Sequence, residues 1–366
     1  MLRKMLPFTI SLAIFSACLA LFGGRNQSTF SVLTLAFQSL DIPLPIQLIM
    51  ANCWQMKLSD KVVGYPWWSF GCFGITFVTE RENLESLKED ILRMCKETDL
   101  NLLLVRKGKA LASQQLKQWK NEPREWLKWN ARLAALGSRR ILEDEPARIS
   151  SEEIQRVAKS FFSHDPILIS CNSNLWLILP NSSKARASLH SGFRLNLRLS
   201  SHSTHGLWWS VTVGEPERAW VLGEFLGGGT GSKWFQILRG DQPLAYHAIA
   251  KVEWTPIGAE LSLYASALPN DFKVVQKQAK RLISDLKQGQ IGQWDFERAK
   301  MVAQLRLRQI EADPIALSRS MAIWFMSGRS LSDWNNLSAK LQSLTLENLK
   351  SFCRSLPTFS ELTVTP

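Results

Sequence analysis

Apolar residues recur along most of the chain at helical or alternate spacing, and glycine, proline and short polar stretches divide that pattern into elements. From Ser28 to Trp54 the chain is mainly apolar and predicts helical segments broken at Pro43 and Pro45. Pro66 to Val78 reads as strand with turns. Glu80 to Thr98 is an amphipathic helix, with Leu84, Leu87, Ile91, Leu92 and Cys95 at helical spacing. Ser150 and Glu153 fit a capping box, and Ile149 with Ile154 a hydrophobic staple, so a helix starts there and runs to about Phe162. Two β runs follow, Ile167 to Ser170 and Leu175 to Leu179.

The polar, short-chained stretch Asn181 to Ser188 reads as a linker. Beyond it, Phe193 to Val213 supplies strands and Glu217 to Leu226 a helix. Tyr246 to Trp254 and Ala259 to Ala267 form a hairpin around Pro256-Ile257-Gly258. Asn270 to Lys287 is helical, with Val274, Val275, Leu282, Ile283 and Leu286 on one stripe. Trp294 to Ala312, Pro314 to Met326, Ser332 to Leu341 and Thr345 to Leu356 are further helices, and Glu361 to Val364 is a last strand. Strands followed by helices, twice over, predict an α+β fold: two half-units, each an antiparallel sheet covered by helices. The expected boundaries are an amino-terminal segment over 1–24, a first half over 25–180, a linker over 181–192 and a second half over 193–366.

Arg3 and Lys4 precede an apolar run of 18 residues, Met5 to Phe22. That is the layout of an export signal. As a helix it would measure roughly 27 Å, just short of a typical span of about 30 Å. It lies between a cleaved signal and a retained anchor, so the chain is expected to be exported, periplasmic or membrane-anchored. A buried first helix is the alternative. Six cysteines without paired spacing give neither a zinc cluster nor a disulfide scaffold and read as small buried residues.

The formal net charge is +12, which allows anionic partners without choosing among them. Ten of the cations fall within residues 106–140: Arg106, Lys107, Lys109, Lys117, Lys120, Arg124, Lys128, Arg132, Arg139 and Arg140. Trp119, Trp126 and Trp129 are interleaved with them. Such a block suits an anionic membrane surface or, by phosphate contact and base stacking, a nucleic acid. The plain alternative is a solvated face with its tryptophans in the core. Export disfavours nucleic acid.

The most distinctive stretch runs from Leu226 through Gly227, Gly228, Gly229, Thr230, Gly231, Ser232 and Lys233 to Leu238 and Arg239, followed by Pro243, Leu244, Ala245 and Tyr246. A glycine run closes one helix and opens another. Ser232 is placed to cap the second, which carries Trp234, Phe235, Ile237 and Leu238. Neither phosphate-binding glycine spacing is met. On the residues alone, Arg239 either offers fixed donors or pairs with Asp241 or Glu217, and Tyr246 either offers a phenolic donor or packs.

This glycine loop, with Ser and an aromatic, then Leu-Arg, then Leu-Ala-Tyr, resembles the second half of the pitrilysin/insulinase family of zinc metallopeptidases. The resemblance covers roughly residues 55–366 and is strongest at 222–246. It implies an insulinase or mitochondrial-processing-peptidase-like fold. It also implies that Arg239 and Tyr246, beside Gly227, Gly228 and Gly229, help hold a peptide substrate across a chamber from zinc. The family's HxxEH, in which two His bind zinc and Glu activates water, is missing. The histidines are His164, His190, His202, His205 and His247, none in that motif, and the corresponding region near Leu33 to Leu48 offers only Gln38, Asp41 and Gln47. No catalytic residue, metal or cofactor is therefore expected, and the chain alone is not an enzyme. Members of this family often pair a zinc-bearing subunit with one carrying the Arg/Tyr pair, which makes such a subunit the expected partner. The competing reading is an exported or membrane-associated scaffold that binds peptides or proteins without a peptidase role.

Overall fold

The computed structural model describes residues 30–39, 42–58, 62–96, 100–137, 146–162, 167–171, 176–178, 189–198, 204–240 and 243–365. The expected export segment, most of the linker, His164, His202 and Asp241 lie outside these residues.

Two five-stranded sheets form the framework. The first comprises β1 (Phe30–Gln38), β2 (Val63–Ser69), β3 (Cys72–Glu80), β4 (Ile167–Cys171) and β5 (Trp176–Ile178), in the order β2-β3-β1-β4-β5 and antiparallel throughout. The second comprises β6 (Arg194–Arg198), β7 (His205–Val213), β8 (His247–Thr255), β9 (Gly258–Ala267) and β10 (Ser360–Thr365), in the order β6-β10-β7-β9-β8. Here the expectation of purely antiparallel sheets is corrected: β10 pairs with β6 in parallel. The carboxy-terminal strand inserts between β6 and β7, and only one of those neighbours can run against it.

The apolar run before Pro43 is also not helical. Residues Phe30–Gln38 form the central strand of the first sheet, and only Leu44–Lys57 is helical (α1), entered through Pro45 in its first turn. A mainly apolar stretch buried on both faces has no regular alternation to betray it as a strand. Leu33, Leu35 and Phe37 point into the core around α1, where Phe37 stacks on Trp54 at 4.6 Å. Val32 and Ala36 belong to the other core.

The remaining helices of the first stretch are α2 (Leu84–Lys96), α3 (Leu102–Lys120), α4 (Pro123–Ala135) and α5 (Ser151–Phe162). The Ser150 hydroxyl accepts the Glu153 amide at 3.0 Å, as the capping pattern predicts. After β7 come α6 (Pro216–Gly227) and the short α7 (Lys233–Phe235). The long helices α8 (Pro269–Lys287), α9 (Gln293–Ala312) and α10 (Pro314–Met326) follow, then α11 (Leu331–Asn335), α12 (Leu337–Ser343) and α13 (Leu346–Arg354). The helix expected over Ser332–Leu341 is thus split at Asn336. Val274 leaves the expected α8 stripe and is 41% exposed, while Val275, Leu282, Ile283 and Leu286 are buried.

The two sheets exchange covering helices. The helix α10, from the carboxy-terminal stretch, lies on β1 and β4 of the first sheet. The helix α4, from the amino-terminal stretch, lies on β7 and β10 of the second. Each crossing carries a buried polar contact. At the first, Thr34 shares hydrogen bonds with Thr76 (2.9 Å) and with Ser318 of α10 (2.7 Å), and Arg319 Nε donates to Thr76 Oγ1 (3.0 Å). At the second, Arg132 of α4 is 2% exposed; its Nη2 meets Glu260 Oε2 at 2.7 Å and Glu253 Oε2 at 2.5 Å. The guanidinium also lies over Trp129, 4.9 Å from the ring centroid.

Burial alone would raise the Glu253 carboxyl, but Arg132, Lys128 and Lys251 hold it well below the usual range. A depressed carboxyl contributes stability that is full above its unfolded value of about 4.3 and is lost as pH falls toward the folded value. Arg132→Met is therefore expected to lower unfolding free energy at pH 7 by about 3–5 kcal/mol, because two carboxylates lose their buried partner. Denaturant titrations of both proteins at pH 7 and pH 3 check this. The gap should narrow in acid, and equal midpoints at pH 7 would show that the pair holds nothing.

Candidate functional site

The glycine loop grows out of how α6 meets the edge strand β8. Nearly every residue of α6 is buried, and its last turn runs against the β8 backbone. A Cβ at Gly227 would stand 2.1 Å from the Ala250 carbonyl oxygen, so only glycine permits the approach. One residue past the cap, Gly229 takes φ +119°, where side chains are strained. The chain then turns back, with the Ser232 amide donating to the Gly229 carbonyl at 3.0 Å.

Ser232 does occupy the cap position of α7, but its side chain makes no capping bond; the buried residue only supplies the first helical carbonyl, to Gln236. What fixes α7 instead is Trp234, fully buried, whose indole N–H donates to the Tyr264 carbonyl at 2.9 Å. Past Phe235 the backbone widens into a π turn over Gln236–Gly240. Leu238 is held inside while Arg239 projects outward, and the Leu244 amide returns to the Leu238 carbonyl at 3.0 Å.

That return brings the expected pair together. Arg239 Nη1 donates to the Tyr246 backbone carbonyl at 2.5 Å, and its guanidinium stands 5.8 Å from the Phe235 ring. The Tyr246 amide donates to Ser266 at 2.8 Å, joining residue 246 to the start of β8, while its side chain is 52% exposed. Among the described residues Arg239 makes no ion pair with Glu217. The neighbouring His247 shares a hydrogen bond with Ser266 Oγ at 2.9 Å, as a structurally engaged histidine would.

One group beneath the loop was not singled out in the sequence. Glu224 of α6 is buried, with Oε1 2.8 Å from Arg306 Nε and Oε2 unpartnered. Burial raises its carboxyl above the ordinary range, and Arg306 offsets this only in part. A lone glutamate inside an otherwise apolar helical run was the available signal.

The residues Gln38 and Gln47 sit where the missing zinc motif would fall. Gln38 ends β1, and Gln47 is buried in α1 with its amide donating to the Ser39 and Ile42 carbonyls at 3.1 and 2.7 Å. Among the described residues, no three His, Cys, Asp or Glu side chains group as metal ligands. A cavity of about 160 Å³ opens elsewhere, at the α4 crossing, lined by Phe70, Arg132, His190, Ser210, Glu260 and Ser360. Cys53, Cys72, Cys95 and Cys353 are free and buried, and burial pushes each thiol up to about 12.

The basic block divides. In α4, Arg124 and Lys128 pair with Glu125, at 3.1 and 2.9 Å, and Arg132 is buried as described. Trp126 and Trp129 are core residues, and Trp119 stacks on Trp129 at 5.2 Å. These rings are not available to stack on bases.

Comparison with known proteins bears on the fold and on the family of the stretch that holds the glycine loop. Residues 217–302 match the family described as Peptidase M16 inactive domain. The resemblance read from the glycine loop is thus met at its strongest stretch. No curated protein gives a significant match. Among solved structures, a protease from Helicobacter pylori superposes with a TM-score of 0.73 at 11% identity, covering 93% of this chain and 95% of that one. A peptidase M16 inactive domain from Pseudomonas fluorescens gives 0.68 at 12% identity, covering 93% and 94%. A chain of complex III2 from Candida albicans gives 0.67 at 13% identity, covering 92% and 91%. At these identities the likeness is one of fold.

Gly227→Ala is expected to cost at least about 3 kcal/mol, since the added methyl meets backbone rather than a movable side chain. Gly229→Ala meets no atom within 4 Å and should cost about 1–2 kcal/mol from backbone strain alone. Denaturant midpoints of the two variants check the order, and a reversal would show that the approach of α6 to β8 is not what the loop protects.

Proposed function

We propose that this chain, whose residues 217–302 match the family described as Peptidase M16 inactive domain, is the non-catalytic subunit of a heteromeric peptidase. In this reading a second chain supplies zinc, and Arg239 and Tyr246 hold the peptide backbone across a shared chamber. The observation that carries it is the pairing itself. Arg239 is oriented by the Tyr246 carbonyl while the Tyr246 ring stays half exposed, in a chain with no HxxEH. Among the described residues Arg239 meets no carboxylate, and the Tyr246 ring is left half exposed. Arg239 keeps donors beyond the one it uses, and the phenol can donate as well. Both suit a peptide carbonyl, and Gly227, Gly228 and Gly229 let backbone pass close by.

The division at residues 181–192 belongs to the same proposal, the two sheets standing as half-units of one fold. The basic and apolar first 24 residues support a place outside the cytoplasm for the same reading. A structural neighbour that is itself a chain of a multi-chain complex supports a partner subunit. On its own the chain performs no hydrolysis here: without a metal-activated water the two donors have nothing to stabilise.

Affinity purification from native cells is the test. A stoichiometric partner bearing HxxEH is expected, and the mixed complex should cleave peptides. Arg239→Ala should then reduce kcat about 100-fold, as removal of one positioned donor does, with the complex still assembled. A preparation that yields no such partner and is inert toward peptides would turn the reading to a scaffold. Unchanged activity of the Arg239→Ala complex would remove the pair from the mechanism.

A further inference from the structure

The outer face of α3 has no role in the reading above, and its chemistry is one-sided. The helix carries Arg106, Lys107, Lys109, Lys117 and Lys120 and no acidic residue. Its inner face packs on α1 through Val105, Gly108, Ala112 and Leu116. A Cβ at Gly108 would stand 2.6 Å from Cys53 Sγ, so the two helices approach closely. Asn101 caps the amino end, its side chain accepting the Leu103 amide at 2.8 Å. The helix is therefore a rigid outer layer over α1 rather than a segment that must fold on binding.

Its outward arc combines Arg106, Lys107 and Lys117 with three leucines left in water: Leu102 (62% exposed), Leu103 (57%) and Leu111 (41%). At 100° per residue, Leu103, Lys107, Ala110, Gln114 and Lys117 fall along its middle, and Leu102 and Leu111 toward its two edges. The cations of α4 are matched by carboxylates; among the described residues Arg106, Lys107 and Lys117 have none. The three leucines stand beside these unmatched cations on one helix. A nucleic-acid face would want aromatic rings, and the tryptophans of this block are packed inward.

We propose that the outer face of α3 is a docking surface for an anionic lipid bilayer, Leu103 entering the headgroup boundary with Leu102 and Leu111 at the flanks, while Arg106, Lys107 and Lys117 meet lipid phosphates. The charge complementarity selects the partner: cations near an anionic bilayer each favour partition by about fivefold, and apolar side chains add to it. The surface moves the membrane reading of residues 106–140 to the helix face over residues 102–118 and does not depend on the peptidase proposal. It is a peripheral contact; among the described residues no helix is long and apolar enough to cross a membrane.

The full chain carrying Cys18→Ser, Cys171→Ser and Gln114→Cys, labelled with an environment-sensitive fluorophore, tests it. The other four thiols are buried and shifted away from reaction, and residue 114 lies in the middle of the exposed arc, so the dye reports this helix rather than the amino terminus. With phosphatidylglycerol vesicles the emission should shift to the blue and brighten; with phosphatidylcholine vesicles it should not. Combined Arg106→Glu, Lys107→Glu and Lys117→Glu should weaken the apparent partition by about 100-fold or more. Leu103→Asp with Leu111→Asp should reduce the blue shift with the charges intact. No shift with either vesicle, or equal shifts with both, would overturn the proposal. So would a charge-reversed variant that behaves as the parent does. Salt-sensitive binding of duplex DNA without a vesicle response would assign the face to nucleic acid instead.

Discussion

The fold turns on one buried ion pair. Arg132 leaves α4 and enters the second sheet, where Glu260 on β9 and Glu253 on β8 take its charge. A guanidinium so deeply buried is tolerated only because two carboxylates and the Trp129 face replace water. Because α4 and the second sheet belong to distant stretches of chain, the pair makes the packing of one depend on the folding of the other. The opposite crossing repeats this logic more weakly, with Thr34, Thr76, Ser318 and Arg319 bonded across the seam between α10 and the first sheet. The two sheets are therefore stabilised jointly, each lacking a complete cover without a helix from the other stretch.

A single strand links that constraint to the candidate site. Along β8, Glu253 receives Arg132 and Ala250 lies against Gly227, while Tyr246 stands just before the first residue. Displacing α4 from the second sheet would loosen the strand that the glycine loop leans on and that Tyr246 leads into. Arg239 is tied to the same place through its bond to the Tyr246 carbonyl. Within the π turn Leu238 stays in the core while the next side chain, Arg239, leaves it. Trp234 serves as the anchor that the expected Ser232 cap does not provide.

Legibility in the sequence followed the strength of local signals. The α5 cap, the β8–β9 hairpin and the long helices α8, α9 and α10 all carry period and punctuation, and each stands within a few residues of its expected place. Failures occurred where burial was two-sided or depended on distant partners. Phe30–Gln38 was expected to be helical because an apolar run with both faces covered looks the same in either state. Glu224 is not legible as a paired group because nothing near it in sequence indicates the Arg306 that meets it. The basic block read as one feature, yet its second helix is spent on internal ion pairs and only its first faces outward.

The amino-acid sequence by itself determined the α+β class, most of the elements beyond residue 150, the missing HxxEH and the association of a glycine loop with Arg239 and Tyr246. These are local matters of spacing and residue type, legible because each depends on neighbours within a few turns. Tertiary structure alone decided which helix covers which sheet and that the last strand runs parallel to β6. It also decided that Arg132 is buried between two glutamates while Arg106, Lys107 and Lys117 face solvent. The physical reason is that charge and apolar area carry no fixed value along a chain. Whether an arginine is a core ion pair or a surface charge depends on residues more than a hundred positions away, brought there only by the packing of the whole.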